Sequence, residues 1–256
     1  MVEEIIRTKT GIQDLDKALN GGIPQGNIVL VSGGAGTGKS TLCLQFAVNG
    51  ASTFGEKALY ISTEQNKTEL YKQANGFGWD ISSLELKNLL KTVYFDITEG
   101  NLFLEKLETL ITEFKPQRLI IDSLITLTDS LTVAGISNDE GFSMVRVAET
   151  VSPIPRTEKI ISKSVLYHLF KVLRKYQITT ILTTELFEGT ELLSSDGVSE
   201  FIADGVVLLH FLGVGGMESR SLQIRKMRYT AHDEEVMQYS LGKSGIEFST
   251  SEELNL

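Results

Sequence analysis

The residues Gly33-Gly34-Ala35-Gly36-Thr37-Gly38-Lys39-Ser40 carry the spacing G-x-x-x-x-G-K-S/T. Glycines in this pattern let successive backbone N–H groups curl around a polyphosphate, and the N-terminus of a following helix adds positive potential. Lys39 then has the reach to meet the β- and γ-phosphates, and Ser40 offers a hydroxyl suited to Mg²⁺. Thr41 begins the segment that leads away from the loop. The flanks have the order this chemistry requires. Asn27–Val31 reads as a short apolar strand, and Thr41–Ala47 reads as a helix with an inward apolar stripe. Residues 33–41 are therefore predicted to bind a nucleoside triphosphate.

Hydrolysis would need, in addition, a carboxylate that organises the metal and a group that aligns water. Asp122 ends the apolar stretch Leu119–Ile121 and precedes Ser123, which is the setting of a metal-organising acid. Glu64 stands just past a second apolar stretch, Lys57–Ser62. From spacing alone it is either a solvated loop glutamate or the base that activates water. Lys226 and Arg228 lie two apart on a strand-like segment, so both side chains leave one face. They read as a solvated face or as a charge clamp on a triphosphate, acting in cis or from a neighbouring subunit. His232 would join that cluster. Three histidines and one cysteine provide no zinc spacing, and no Ser-His-Asp or activated-cysteine arrangement is legible.

These groups need a scaffold, and strands alternating with helical patterns predict a mostly parallel sheet. Further strands are expected at Thr92–Asp96, Arg118–Ile121 and Thr179–Thr184, with helices at Phe103–Phe114 and Ser164–Tyr176. The second of these helices carries Lys163, His168, Lys171, Arg174 and Lys175 on its polar side, a run without an acid. Val206–Leu212 and Arg220–Met227 flank a turn containing Gly213, Gly215 and Gly216 and read as a hairpin, with another strand at Glu235–Leu241. The fold class expected is α/β, a P-loop core whose mostly parallel central sheet is flanked by helices, with a C-terminal antiparallel hairpin extension. One domain is expected over residues 1–256. The weakly periodic stretch 129–162, holding Pro153 and Pro155, reads as an excursion with a short helix near 141–149.

A chain of 256 residues is long enough to bury a large core. The single cysteine, Cys43, allows no intrachain disulfide and fits a reducing, cytoplasmic setting, with the thiol read as a small core residue. The N-terminal residues lack the pattern of a signal peptide, and no apolar run approaches a membrane span. The net charge of −9 argues against non-specific binding to nucleic acid.

Ordered matches extend well beyond the loop. Thr10-Gly11-Ile12, Leu15-Asp16, Leu19 and Gly21–Gly26 lead into it; Ile61–Glu64, the strand through Ser123, Thr183-Thr184-Glu185, Gly197–Val207 and Lys226-Met227-Arg228 with Thr230 and His232 follow. Together they resemble the KaiC-type domains of the RecA/RadA superfamily of ATPases, in the single-domain archaeal form. The resemblance implies a RecA-like fold with ATP and Mg²⁺ as cofactors, the metal held by Ser40 and Asp122. It implies Glu64 as catalytic base, with Thr184 and Glu185 ending the strand that senses the γ-phosphate. It also implies that Lys226 and Arg228 reach the γ-phosphate of an adjacent protomer, so that ATP sits between subunits of a ring, usually a hexamer.

The chain departs from the pattern in two places. KaiC-type domains carry two consecutive glutamates where this chain has Glu64-Gln65, which removes one candidate base. A related archaellum accessory ATPase shows a similar Glu-Gln pair and acts mainly as a nucleotide-dependent scaffold, so a non-hydrolysing scaffold is the alternative to a slow ATPase. Tyr229 stands where a glycine is common after the Lys-Met-Arg triplet, with an altered interface turn as the expectation. A recombinase-like reading with DNA as partner is less favoured, because the 129–162 stretch has mixed charge and little aromatic content beyond Phe142. An unidentified protein partner is expected, and no Ser/Thr pair can be singled out for autophosphorylation.

Overall fold

The computed structural model describes residues 4–96, 102–128, 155–186, 192–214 and 217–249, with the backbone alone over 155–162, 212–214 and 217–218. In chain order its elements are β1 (Arg7–Thr8), α1 (Gln13–Ala18), β2 (Ile23–Pro24), β3 (Ile28–Gly33), α2 (Lys39–Thr53), β4 (Ala58–Ser62), α3 (Lys67–Gly76), α4 (Ile81–Leu86) and β5 (Leu90–Tyr94). They continue with α5 (Phe103–Phe114), β6 (Arg118–Asp122), α6 (Pro155–Tyr176), β7 (Thr179–Glu185), α7 (Ser199–Ile202), β8 (Gly205–Val214), β9 (Met217–Met227), β10 (Met237–Gly242) and β11 (Gly245–Phe248).

The apolar runs of β3, β4 and β6 are buried along their whole length, as strands covered by helices on both faces must be. They lie within a nine-stranded sheet of order β11-β10-β9-β8-β3-β7-β6-β4-β5. Strands β5, β4, β6, β7, β3 and β8 run parallel, and β9, β10 and β11 add on antiparallel. Side chains alternate between two cores. Val29, Val31 and Tyr60 join Leu42, Phe46 and the α1, α3 and α4 side, whereas Ile28, Leu30 and Leu59 join Phe103, Leu107, Leu169 and Leu173 of α5 and α6. The α/β architecture with a C-terminal antiparallel extension is as the sequence predicts.

Several expected boundaries move. Strand β5 starts at Leu90 and ends at Tyr94, two residues earlier than the sequence suggests. Helix α6 starts at Pro155, so Pro155 opens a helix where the sequence suggested irregular chain. Proline is suited to the first helical turn, because its missing N–H has no intrahelical partner there. The short helix expected near 141–149 lies outside the described residues. Strands β1, β2 and β11 and helices α1, α3, α4 and α7 were not anticipated. Strands β1 and β2 are only two residues each, too short for an alternating pattern. Helix α3 is marked by a capping box that the periodicity reading passed over, with Asn66 accepting from Glu69 N–H and Glu69 from Asn66 N–H.

Behind the sheet, Arg118 is fully buried. Its Nε pairs with Glu56 at 2.6 Å, its Nη1 donates to Phe46 O at 3.0 Å, and its guanidinium lies 4.5 Å from the Phe46 ring centre. Gly50 of α2 makes room for it: a Cβ there would come 2.8 Å from the guanidinium carbon. Gly50→Ala in a helix interior ordinarily stabilises, by about 1 kcal/mol. Here the expected sign is reversed, a loss of about 1–3 kcal/mol from overpacking against a buried charge, measured by urea unfolding.

Candidate functional site

Sheet order puts the chemistry at one edge. The parallel register sets Ser32 opposite Thr184, Ser62 opposite Asp122 and Gly33 opposite Glu185, so these residues end their strands on the same side. That carboxyl edge is where an open α/β sheet binds its ligand. The 33–40 loop leaves β3 there and α2 begins at Lys39. Gly36 and Gly38 adopt positive φ of 74° and 91°, which lets the loop coil back over the helix start. A Cβ at Gly33 would come 2.7 Å from Leu209 O, while at Gly36 nothing lies within 4 Å. The loop is packed beneath and open above, as a phosphate cradle requires. Lys39 Nζ lies within it, donating to Gly33 O at 2.9 Å and Gly34 O at 3.0 Å, and Thr37 Oγ1 donates to Gly34 O at 2.8 Å. Ala35 forms the exposed rim, Ser40 is half-buried at the first turn of α2, and Thr41 is buried, accepting from Gln73 Nε2 at 3.3 Å.

Asp122 is buried beside this loop, and both of its oxygens are engaged. Tyr60 Oη donates to Oδ2 at 2.7 Å and Thr183 Oγ1 donates to Oδ1 at 2.6 Å. Burial first, and then the Asp122 charge, push the Tyr60 phenol well above its ordinary range, so it remains a donor. Burial likewise pushes the Cys43 thiol up, and Cys43 is a core residue with no exposure. Strand alternation separates Thr183, which faces Asp122, from Thr184, whose hydroxyl pairs with Ser195 at 3.2 Å. Among the described residues no group of three or more His, Cys, Asp or Glu could hold a metal ion by itself. The Ser40 hydroxyl and the Asp122 carboxylate have the hard-oxygen chemistry that a divalent cation would need.

Glu64 is exposed at the same edge. Its Oε1 accepts from Ser123 Oγ at 2.5 Å and Thr126 Oγ1 at 3.2 Å, and these two hydroxyls lie 3.0 Å apart. Thr126 sits on a short helical turn over 124–128. The Asp122–Ser123 peptide bond is cis. Gln65 Oε1 is buried without a hydrogen-bond partner among the described residues.

Three residues of the C-terminal strands reach the loop from the same chain, and sequence reasoning missed them. Tyr239 Oη donates to Thr37 O, Arg220 Nε donates to Gly36 O at 3.2 Å, and Leu241 packs 3.1 Å from where a Gly38 Cβ would stand. The Arg220 guanidinium lies 4.3 Å from the Phe211 ring centre. Only the antiparallel pairing of β10 with β9 brings Tyr239 opposite Arg220. No spacing rule connects residues so far from the loop in sequence.

Lys226 and Arg228 stand apart from this cluster. Lys226 Nζ donates to the carbonyls of Glu200, Phe201 and Ala203, at 3.1, 3.3 and 2.6 Å, and Arg228 Nη1 pairs with Asp204 at 2.8 Å. Desolvation, and then the nearby Arg228 charge, hold the Lys226 ammonium below its ordinary range. Both cations do turn to one place, the α7–β8 junction, as their spacing implies. His232 is half-buried, its Nδ1 3.0 Å from Asp233 O. The basic run on α6 is partly neutralised, with Lys175 on Glu108 and Arg174 on Asp204.

A glycine-lined loop between a central parallel strand and a helix, with a buried aspartate ending the strand one place removed across β7, defines a RecA-like P-loop nucleotide-binding protein. The family model described as "ATPase: KaiC" matches residues 8–138 and 143–253, and the chain belongs to this KaiC ATPase family. The UPF0273 protein MJ1359 of Methanocaldococcus jannaschii is 30% identical, over 94% of this chain and 95% of its own length. The circadian clock oscillator protein KaiC of Nostoc is 27% identical, and this chain spans 43% of that longer protein. The crystal structure of the KaiC-like protein PH0186 from Pyrococcus horikoshii OT3 superposes with a TM-score of 0.78 at 31% identity, covering 96% of this chain and 100% of that one. Among the described residues no helix is long and apolar enough to cross a membrane.

Proposed function

We propose that this chain hydrolyses ATP with Mg²⁺ at sites shared between copies of itself, in a ring whose expected size is six. In this reading the loop amides and Lys39 hold the phosphates, and Ser40 and Asp122 hold Mg²⁺ with its water shell. Glu64 takes the proton of the attacking water. Lys226 and Arg228 of a neighbouring copy meet the charge that develops on the γ-phosphate.

One observation carries the shared site. Met227 pairs with Gly205, and Gly205 with Val29, near the start of β3, whereas the loop leaves β3 at Gly33. At about 3.3 Å per residue the two levels are about 13 Å apart along the sheet. A basic pair at the amino edge cannot serve the loop at its own carboxyl edge, but it can serve that of another copy. Such a head-to-tail contact uses different surfaces on its two sides and gives a ring where the rotation between copies closes. The test is the mass of the chain by light scattering, with and without Mg·ATP, beside steady-state phosphate release. ATP-dependent assembly with turnover supports the reading, and turnover by a chain that stays monomeric overturns it.

The turn that presents the pair bears on assembly. Tyr229 takes φ 64° and is 69% exposed, so the turn keeps the backbone shape of a glycine while carrying a ring. Arg7 Nη1 ties the turn down through Thr230 Oγ1 at 2.9 Å. Tyr229→Gly is expected to stabilise the monomer by up to about 1 kcal/mol, since relief of the left-handed strain outweighs the added chain entropy. Thermal unfolding of the nucleotide-free chain checks this. The same variant is expected to need more ATP for assembly, because the exposed ring is lost from the contact.

A further inference from the structure

We propose that Asp204 is the positioning residue that aims Arg228 at the neighbour's nucleotide, an inference that rests on the shared-site reading above. Asp204 is buried at the start of β8 and fixed there from several sides. Its Oδ2 accepts from Ile28 N–H at 3.1 Å, and its own N–H donates to Ile28 O at 2.8 Å, which locks it to the central strand β3. Its carbonyl accepts the Arg228 N–H at 2.8 Å, and its Oδ1 accepts from Arg228 Nη1 at 2.8 Å. Backbone and guanidinium of Arg228 are thus both held by one residue. Arg174 Nη2 of α6 reaches the same Oδ1 at the longer distance of 3.3 Å and also donates to Ile202 O at 2.7 Å.

An arginine that must act across a subunit boundary gains most from being held in its working direction before the partner arrives, because less side-chain freedom is lost in the complex. Asp204 engages one guanidinium nitrogen, and Arg228 remains partly exposed at 41%, so part of the planar fork stays open to another copy. The buried end of the pair is anchored to the sheet while its outer end is presented.

The test uses mixed assemblies of the full chain. Asp204→Asn is expected to lower kcat at least about tenfold with the KM for ATP nearly unchanged, the pattern of an interaction made in the transition state. Mixed with Glu64→Gln chains, it should regain activity above the mean of the two unmixed proteins. In such assemblies the Asp204→Asn chain supplies an intact loop and Glu64, and the Glu64→Gln chain supplies a correctly held Arg228. A purely structural defect would not be repaired by mixing. Arg228→Ala mixed with Glu64→Gln is the control. If the control recovers and Asp204→Asn does not, the role of Asp204 is overturned while the shared site stands. If the control itself fails to recover, the shared site falls and the inference falls with it. Should Asp204→Asn not fold, Arg174→Met provides the second arm, because it leaves the Asp204–Arg228 pair in place. Turnover held near the wild-type rate supports Asp204 as the aiming group, and a fall as deep as that of Arg228→Ala overturns it.

Discussion

Glu64→Gln chains are expected to bind ATP and assemble as the wild type does, yet to release phosphate at least about a hundredfold more slowly, the lower range of what a positioned base contributes. The substitution is nearly isosteric, and the amide oxygen can still accept from Ser123 and Thr126, the two hydroxyls that hold Glu64 Oε1. What is lost is the capacity to take a proton. Gln65, the next residue, cannot replace it, since an amide is not a base at neutral pH. The measurement is steady-state phosphate release beside nucleotide binding and light-scattering mass. Multiple turnovers that vanish in the variant would remove the non-hydrolysing scaffold as an alternative. Equal rates in both proteins would remove Glu64 as the base, and assembly without turnover in either would make ATP a structural ligand and favour the scaffold.

The second large effect is expected at Arg228. Arg228→Ala should lower kcat by about 10³-fold, the scale associated with an arginine supplied to a phosphoryl-transfer site from another chain. Its distance from its own loop makes the outcome diagnostic. A residue at the amino edge, paired with Asp204 and level with the start of β3, has no direct route to its own nucleotide. A fall in kcat with binding retained is the result expected of a cation that acts on another copy. Phosphate release from 1:1 mixtures with Glu64→Gln reads this directly, because each inactive chain supplies what the other lacks. Mixtures no more active than their parents would place the arginine outside the reaction.

What the sequence determined by itself was what local rules can carry. The glycine spacing of 33–40, with an apolar strand before it and a helix after it, specified the loop, because backbone curvature and helix start are encoded within a few residues. Asp122 was legible because a buried parallel strand reads as an unbroken apolar run, and the first polar residue marks its end. The hairpin of β8 and β9 was legible from glycines between two strand-like runs.

The tertiary structure decided how distant segments meet. Tyr60 and Thr183 both grip Asp122 because β4 and β7 flank β6, an order no local pattern contains. Tyr239 and Arg220 reach the loop because the antiparallel strands fold back over it. Pro155 opens α6 where the sequence suggested irregular chain, since proline stops a helix or starts one according to which side the helix lies on. Tyr229 takes a left-handed φ of 64°, which residue preference alone argued against. Above all, the sheet register put Lys226 and Arg228 at the edge opposite the loop. Their spacing said only that they share a face; a strand's level in a sheet is fixed by its pairing with other strands, and only that long-range information shows the pair at a level away from the chain's own loop.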